Sequence, residues 1–259
     1  MNDSEERNRL WLQWEGCEQG QFALEKQKRL LLQMSSHWRR RGQALLEIEC
    51  HCGYFLEAFW ESGFEVSGTD RSPELLQRAR GRLGKRADLH LAHPEHLTFE
   101  DKSFDYVLAI SALDMDVDPG KVVQEAARIC KKELLIGFMN RRSCGSLQQK
   151  LPNRLGGRSS ASRAAAWRTA GETRKLLQEH LGRSPDALGS VLCGPLATWR
   201  RKSLAERVNG VVLPVPVGTF CAMRLDLTWE RTGTPLIAWN PKESTAAQGA
   251  QPTGHRPAL

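Results

Sequence analysis

Leu45–Asp70 reads LLEIECHCGYFLEAFWESGFEVSGTD, and its pattern decides the fold. Ala44–Ile48 is a short apolar run of the kind that a strand buried on both faces requires. Phe55, Leu56, Phe59 and Trp60 then recur at helical spacing, and Gly63 follows as a C-terminal stop. Phe64, Val66 and Gly68 open a second strand that ends on Asp70. A strand–turn–helix of this kind aims backbone N–H groups at a ligand beyond the strand's carboxyl end. An acid about twenty positions later stands where a ribose diol is bound. The turn itself is unusual, because it carries Glu49 and His51 rather than glycine.

The same alternation continues outward. Ser72-Pro73-Glu74 is a helix start, with Ser as N-cap, Pro at the first helical position and Glu in the first turn. Leu75, Leu76, Ala79 and Leu83 form that helix's apolar face. Strands are expected at Asp88–Leu91, Phe104–Ile110 and Glu133–Phe138, and a helix from Asp118-Pro119 with Val122, Val123, Ala126 and Ile129 inward. Crossover helices of this length imply an α/β fold with a mostly parallel sheet covered on both faces. Upstream, residues 1–20 read as a polar segment with Trp11 and Trp14 as anchors. Gln21–Trp38 reads as an amphipathic helix against the first strand that either covers a ligand site or only packs on the sheet. Downstream, 141–163 reads as a loop or irregular cap and Thr169–Leu181 as a helix. Strands are expected at Val191–Gly194 and Gly218–Leu227, with Val211–Val217, interrupted by Pro214 and Pro216, at an edge or in a loop. Residues 241–259 have the composition of a disordered tail.

Composition narrows the classes. A chain of 259 residues accommodates one large α/β domain with additions. The net charge of +7 is modest but uneven: 141–202 holds thirteen Lys or Arg against three acids. That stretch lacks a recognisable RNA-binding module, so a solvated cap is the stronger reading and nucleic acid the weaker. No apolar run is long enough to span a membrane, and MNDSEERNRL lacks a signal peptide's apolar core. Seven scattered cysteines fit reduced thiols, so a cytoplasmic location and no membrane partner are expected. His51, Cys52 and His93 on adjoining loops raise a metal reading, but without CxxC spacing no metal is assigned.

Three stretches together, 45–80, LAHPEHLTFEDKSFDYVLAISAL at 91–113 and DPGKVVQEAARICKKELLIGFMNR at 118–141, resemble the class I S-adenosylmethionine-dependent methyltransferases, in particular the broad type 11 bacterial group. The resemblance covers about 21–140 strongly and the remainder in outline. It implies a Rossmann-like, doubly wound, mostly parallel seven-stranded sheet with helices on both faces. It also implies a domain over 21–240, with its core at 40–140, a basic substrate region near 141–210 and a final strand near 218–228. The implied cofactor is S-adenosyl-L-methionine, and the implied activity is methyl transfer to a small-molecule acceptor.

The family's turn reads E-I-G-C-G-T-G and its adenine loop G-D-A-E-x-L-P-F. By that match Glu47 lies near the methionine end of the cofactor, Gly53 keeps the last turn glycine and Asp70 bonds the ribose. Arg71, Glu95 and Ser111 complete the implied contacts. Glu49 and His51 stand where the first two glycines belong, His93 stands in place of the adenine-binding aspartate, and Pro94 has no N–H to donate. Side chains at 49 and 51 are expected to strain the turn or fill the pocket. An ionised Glu49 at ~4 Å from the cofactor's carboxylate would oppose binding by about 4 kcal/mol at an effective dielectric of ~20, unless it turns away or pairs with an Arg. A second reading therefore stands beside the first: a catalytically inactive methyltransferase-like partner protein. A nicotinamide-dependent oxidoreductase is a distant third, since the turn lacks G-x-G-x-x-G. Asp114 and Asp116 lie where a general base could sit, but acids here also cap helices, and no catalytic residue is assigned.

Overall fold

A computed structural model of the protein describes residues 3–114, 117–149, 167–201 and 204–228. Within these, the strands are β1 (Ala44–Ile48), β2 (Glu65–Asp70), β3 (Ala87–Leu91), β4 (Phe104–Ile110), β5 (Cys130–Met139), β6 (Ala187–Val191) and β7 (Phe220–Asp226). The helices are α1 (Asp3–Gly16), α2 (Glu18–Met34), α3 (Tyr54–Glu61), α4 (Pro73–Leu83), α5 (Pro119–Ile129), α6 (Cys144–Gln149), α7 (Ala170–Leu181) and α8 (Leu204–Gly210). The strands form one sheet in the order β3-β2-β1-β4-β5-β7-β6. The pairs β1–β2, β2–β3, β1–β4 and β4–β5 are parallel, and β7 runs antiparallel between β5 and β6. The expected doubly wound sheet is thus observed. Strand order reverses between β1 and β4, the place where open α/β sheets bind ligands.

Alternation along each strand divides the core in two. Leu45, Tyr106, Leu108, Ile110 and Leu135 face one cluster with Phe22, Leu30 and Leu31 of α2, Phe55 and Phe59 of α3 and Leu76 of α4. Leu46, Ile48, Val107, Ala109, Leu134 and Ile136 face the other, with Val122, Val123, Ala126 and Ile129 of α5 and Leu176 and Leu177 of α7. The start signals act as their chemistry dictates. Ser72 Oγ accepts from Leu75 N, and Asp118 accepts from the N–H groups of Gly120 and Lys121. Thr169 and Glu172 form a reciprocal capping box on α7.

Two elements differ from the sequence expectation. The polar segment at 1–20 contains α1, whose inward face is little more than Leu10 and Trp14, one helical turn apart. So narrow a stripe carries no helical periodicity to read. Gly20 then lets the start of α2 pass against α1, since a Cβ there would lie 1.8 Å from the Trp14 carbonyl oxygen. The strand expected at Val191–Gly194 is instead the end of β6: Leu192 adopts φ 64°, a left-handed conformation that terminates extended pairing. The expected tail at 241–259 lies outside the described residues, as does 150–163 of the expected loop. No helix among the described residues is long and apolar enough to cross a membrane.

Candidate functional site

Immediately beyond β1 the backbone turns through three alternate left-handed residues, Glu49 at φ 58°, His51 at 48° and Gly53 at 74°. Glycine adopts this conformation freely, while other L-residues forfeit about 1–2 kcal/mol each. The strain expected at positions 49 and 51 is present, and backbone bonding holds it. Cys50 N donates to the Thr69 carbonyl and Gly53 N to the Cys50 carbonyl, both at 2.8 Å. His51 N donates to Asp70 Oδ2, also at 2.8 Å. A Cβ at Gly53 would come within 2.8 Å of Leu83 Cδ1, so the Leu83 side chain would have to shift.

Three carboxyls converge on this turn, Glu47, Glu49 and Asp70, each 2% exposed. Asp70 is held by two N–H groups, from His51 on Oδ2 and from Ser72 on Oδ1 at 2.8 Å. Burial, with Asp70 nearby adding to it, pushes the Glu49 carboxyl up to about 8, against the opposing pull of Arg71. Arg71 Nε lies 3.4 Å from Glu49 Oε1. Burial likewise raises Glu47 well above the usual range. The repulsion expected from an ionised Glu49 is therefore reduced: burial favours the protonated carboxyl, and Arg71 faces it. His51 is buried too, which lowers its pKa and keeps the ring neutral. Four buried side-chain polar atoms collect here with no hydrogen-bond partner in the protein, beside the Arg71-paired Glu49: Glu47 Oε2, both His51 ring nitrogens and Thr69 Oγ1. Such atoms are few in native folds, and a cluster of them calls for a physical account.

The roof of the site is α1, while the Gln21–Trp38 stretch, read as either covering the site or only packing on the sheet, packs on the sheet as α2. The Trp11 indole stacks on the His51 imidazole, Asn8 Nδ2 donates to Ser72 Oγ at 2.8 Å, and Arg82 Nη2 meets Glu15 Oε1 at 2.6 Å. Arg82 Nη1 also donates to the Cys52 carbonyl. Sequence reasoning marked Trp11 as an anchor but had no signal that it anchors to His51.

The loop after β3 leaves from beside Asp70, whose carbonyl accepts from Ala92 N at 3.1 Å. His93 is exposed and Pro94 buried. Glu95 turns to the start of α5, where Asp118 N donates to Oε1 at 2.8 Å and Lys121 lies 3.5 Å away; that backbone bond, chiefly, holds its pKa below the usual value. Arg128 ties down the far side of the loop by donating to the Leu97 and Phe99 carbonyls. Ser111, at φ 57°, ends β4 and donates its N–H to the Gly137 carbonyl. The ten residues singled out from the sequence thus all fall at the carboxyl ends of β1–β4. Of the two candidate bases, Asp116 lies outside the described residues, and Asp114 falls in a short 3-10 turn, Ala112–Asp114. Among the described residues no group of three or more His, Cys, Asp or Glu is placed to hold a metal.

Residues 46–136 match a family model described as a methyltransferase domain. A phosphatidylethanolamine N-methyltransferase of Cereibacter sphaeroides is 31% identical over 103 residues, 38% of this chain and 50% of that protein. The chain spans half or less of the length of the curated relatives it matches. Among solved structures, a Thermotoga maritima S-adenosylmethionine-dependent methyltransferase superposes with a TM-score of 0.58 at 20% identity, covering 80% of this chain and 91% of that one. The magnesium protoporphyrin IX methyltransferase of Synechocystis, solved with bound S-adenosylhomocysteine, gives 0.58 at 13% identity, covering 84% and 92%. Sheet order, the turn beyond β1 and the match over residues 46–136 agree: the chain has the fold of the class I S-adenosylmethionine-dependent methyltransferases, and residues 46–136 are similar to their methyltransferase domain.

Proposed function

We propose that the protein is an active methyltransferase that binds S-adenosylmethionine at the turn beyond β1 and methylates a small-molecule acceptor. The carrying observation is the cluster of partnerless buried polar atoms on Glu47, His51 and Thr69, beside the buried Glu49. A ligand with an ammonium group and hydroxyls suits acceptors of that kind, so the residues fit the cofactor chemically. Glu47 and Glu49 would hold its ammonium end. Asp70 would take the ribose, each carboxylate oxygen having a second lone pair beyond its backbone bond. His93, Pro94 and Glu95 would border the base.

The bound sulfonium supplies an activated methyl group, so the side chains have little covalent chemistry to do. The chain's share is alignment and the exclusion of water. α1 contributes the second by covering the turn. The carboxyls of Glu47 and Glu49, protonated when the site is empty of cations, would release their protons to meet the incoming positive charge.

The inactive-partner reading is favoured by the stacking of Trp11 on His51, which fills space above the turn. Calorimetric titration with S-adenosylhomocysteine separates the two. Micromolar binding by the wild type supports an enzyme. Binding only by Glu49→Gly/His51→Gly supports a pocket closed by its own side chains. Binding by neither sinks the cofactor assignment.

A further inference from the structure

A cavity of about 650 Å³ opens between α2, α8 and the segment that follows α8. It lies at the β6 edge of the sheet, with four strands between β6 and the β2 strand that carries Asp70. Its charged lining is Lys26, Arg29, Glu206 and Arg207. Lys26 and Glu206 pair at 3.1 Å and cancel. Arg29 and Arg207 have no carboxylate partner among the described residues, so the cavity holds two uncompensated guanidiniums, groups suited to phosphate.

The rim is apolar. Seven large hydrophobic side chains are exposed among the described residues, and four of them, Val208, Val211, Val215 and Val217 at 46–55%, fall within ten residues. Single exposed valines are ordinary, but this concentration is not. Val211 itself lines the cavity. The segment is also firmly seated: Leu213 pairs with Ser190 of β6, and Ser190 Oγ donates to the Val215 carbonyl at 2.6 Å. The valines are therefore presented outward by a fixed backbone.

We propose that this shoulder docks the protein on an anionic membrane surface, with the phosphate of a lipid headgroup between Arg29 and Arg207 and the valines against the headgroup–acyl boundary. Paired cations beside exposed aliphatic groups are what such a surface recognises. A free small anion would have no use for the apolar rim. The contact proposed is at the surface, without a span.

Sedimentation with vesicles tests this on the full chain. Wild type should pellet with phosphatidylcholine vesicles containing a third phosphatidylglycerol, and not with phosphatidylcholine alone. Arg29→Ala/Arg207→Ala should weaken binding on the order of thirtyfold. Val211→Ser/Val215→Ser should also weaken it, and both variants should keep the wild-type melting temperature and S-adenosylhomocysteine affinity. Equal binding to neutral vesicles, or vesicle binding indifferent to the arginine change, overturns the proposal. So does arginine-dependent binding of inorganic phosphate without vesicle binding, or a lipid-free dimer that the valine changes dissolve.

Discussion

The Trp11 indole lies on the His51 imidazole with ring centroids 4.1 Å apart and planes 17° from parallel. This joins the first helix of the chain to the turn beyond the first strand, across forty residues. Both ring nitrogens of His51 are buried without partners, so the stack shields a ring that would otherwise be solvated. Trp11→Ala should expose His51, return its pKa toward the ordinary value and make it react with diethylpyrocarbonate, whereas wild-type His51 should resist. Peptide mass spectrometry reads the difference. The stack itself is worth about 1 kcal/mol, visible as a lower urea midpoint. Equal reactivity in both proteins would mean that α1 does not cover the turn in solution.

Glu49 makes stability depend on pH in a defined direction. The folded carboxyl keeps its proton up to about 8, while the unfolded chain releases it near 4.5. Below the lower value both states are protonated and Glu49 is neutral to folding. Between the two, rising pH ionises only the unfolded state and stability falls; above the upper value the loss is complete. Glu49→Gln should match wild type in acid and exceed it at alkaline pH, by on the order of 5 kcal/mol at most. Glu47 shifts in the same direction and keeps part of the slope. Urea denaturation across this window checks it, and identical curves at every pH would show that Glu49 is ionised when folded.

Arg128 should act on ligand binding without touching the ligand. It donates to Leu97 and Phe99 carbonyls and pairs with Asp101 at 2.7 Å and Glu125 at 2.9 Å, pinning the loop that carries His93–Glu95. Arg128→Ala should destabilise the protein by about 2 kcal/mol and weaken S-adenosylhomocysteine binding. Arg128→Lys, which keeps the charge but not the fork of donors, should recover little of either. Full affinity in the Ala variant would remove that loop from the binding site.

The sheet was legible in the sequence because its signals are local. Apolar runs of five to seven residues, Ser72-Pro73-Glu74 and Asp118-Pro119 each state a strand or a helix start within a few positions. The turn was legible as well: three left-handed residues stand where the resemblance put three glycines, although two of them carry side chains. Those side chains' ionisation was not legible. Whether Glu49 is charged depends on its burial and on Arg71, which meets it across the end of β2. The Trp11–His51 stack and the paired arginines of Arg29 and Arg207 belong to the same category. Each brings together residues distant in the chain that no periodicity relates, so only the packing of α1 on the turn, and of α8 beside α2, could decide them.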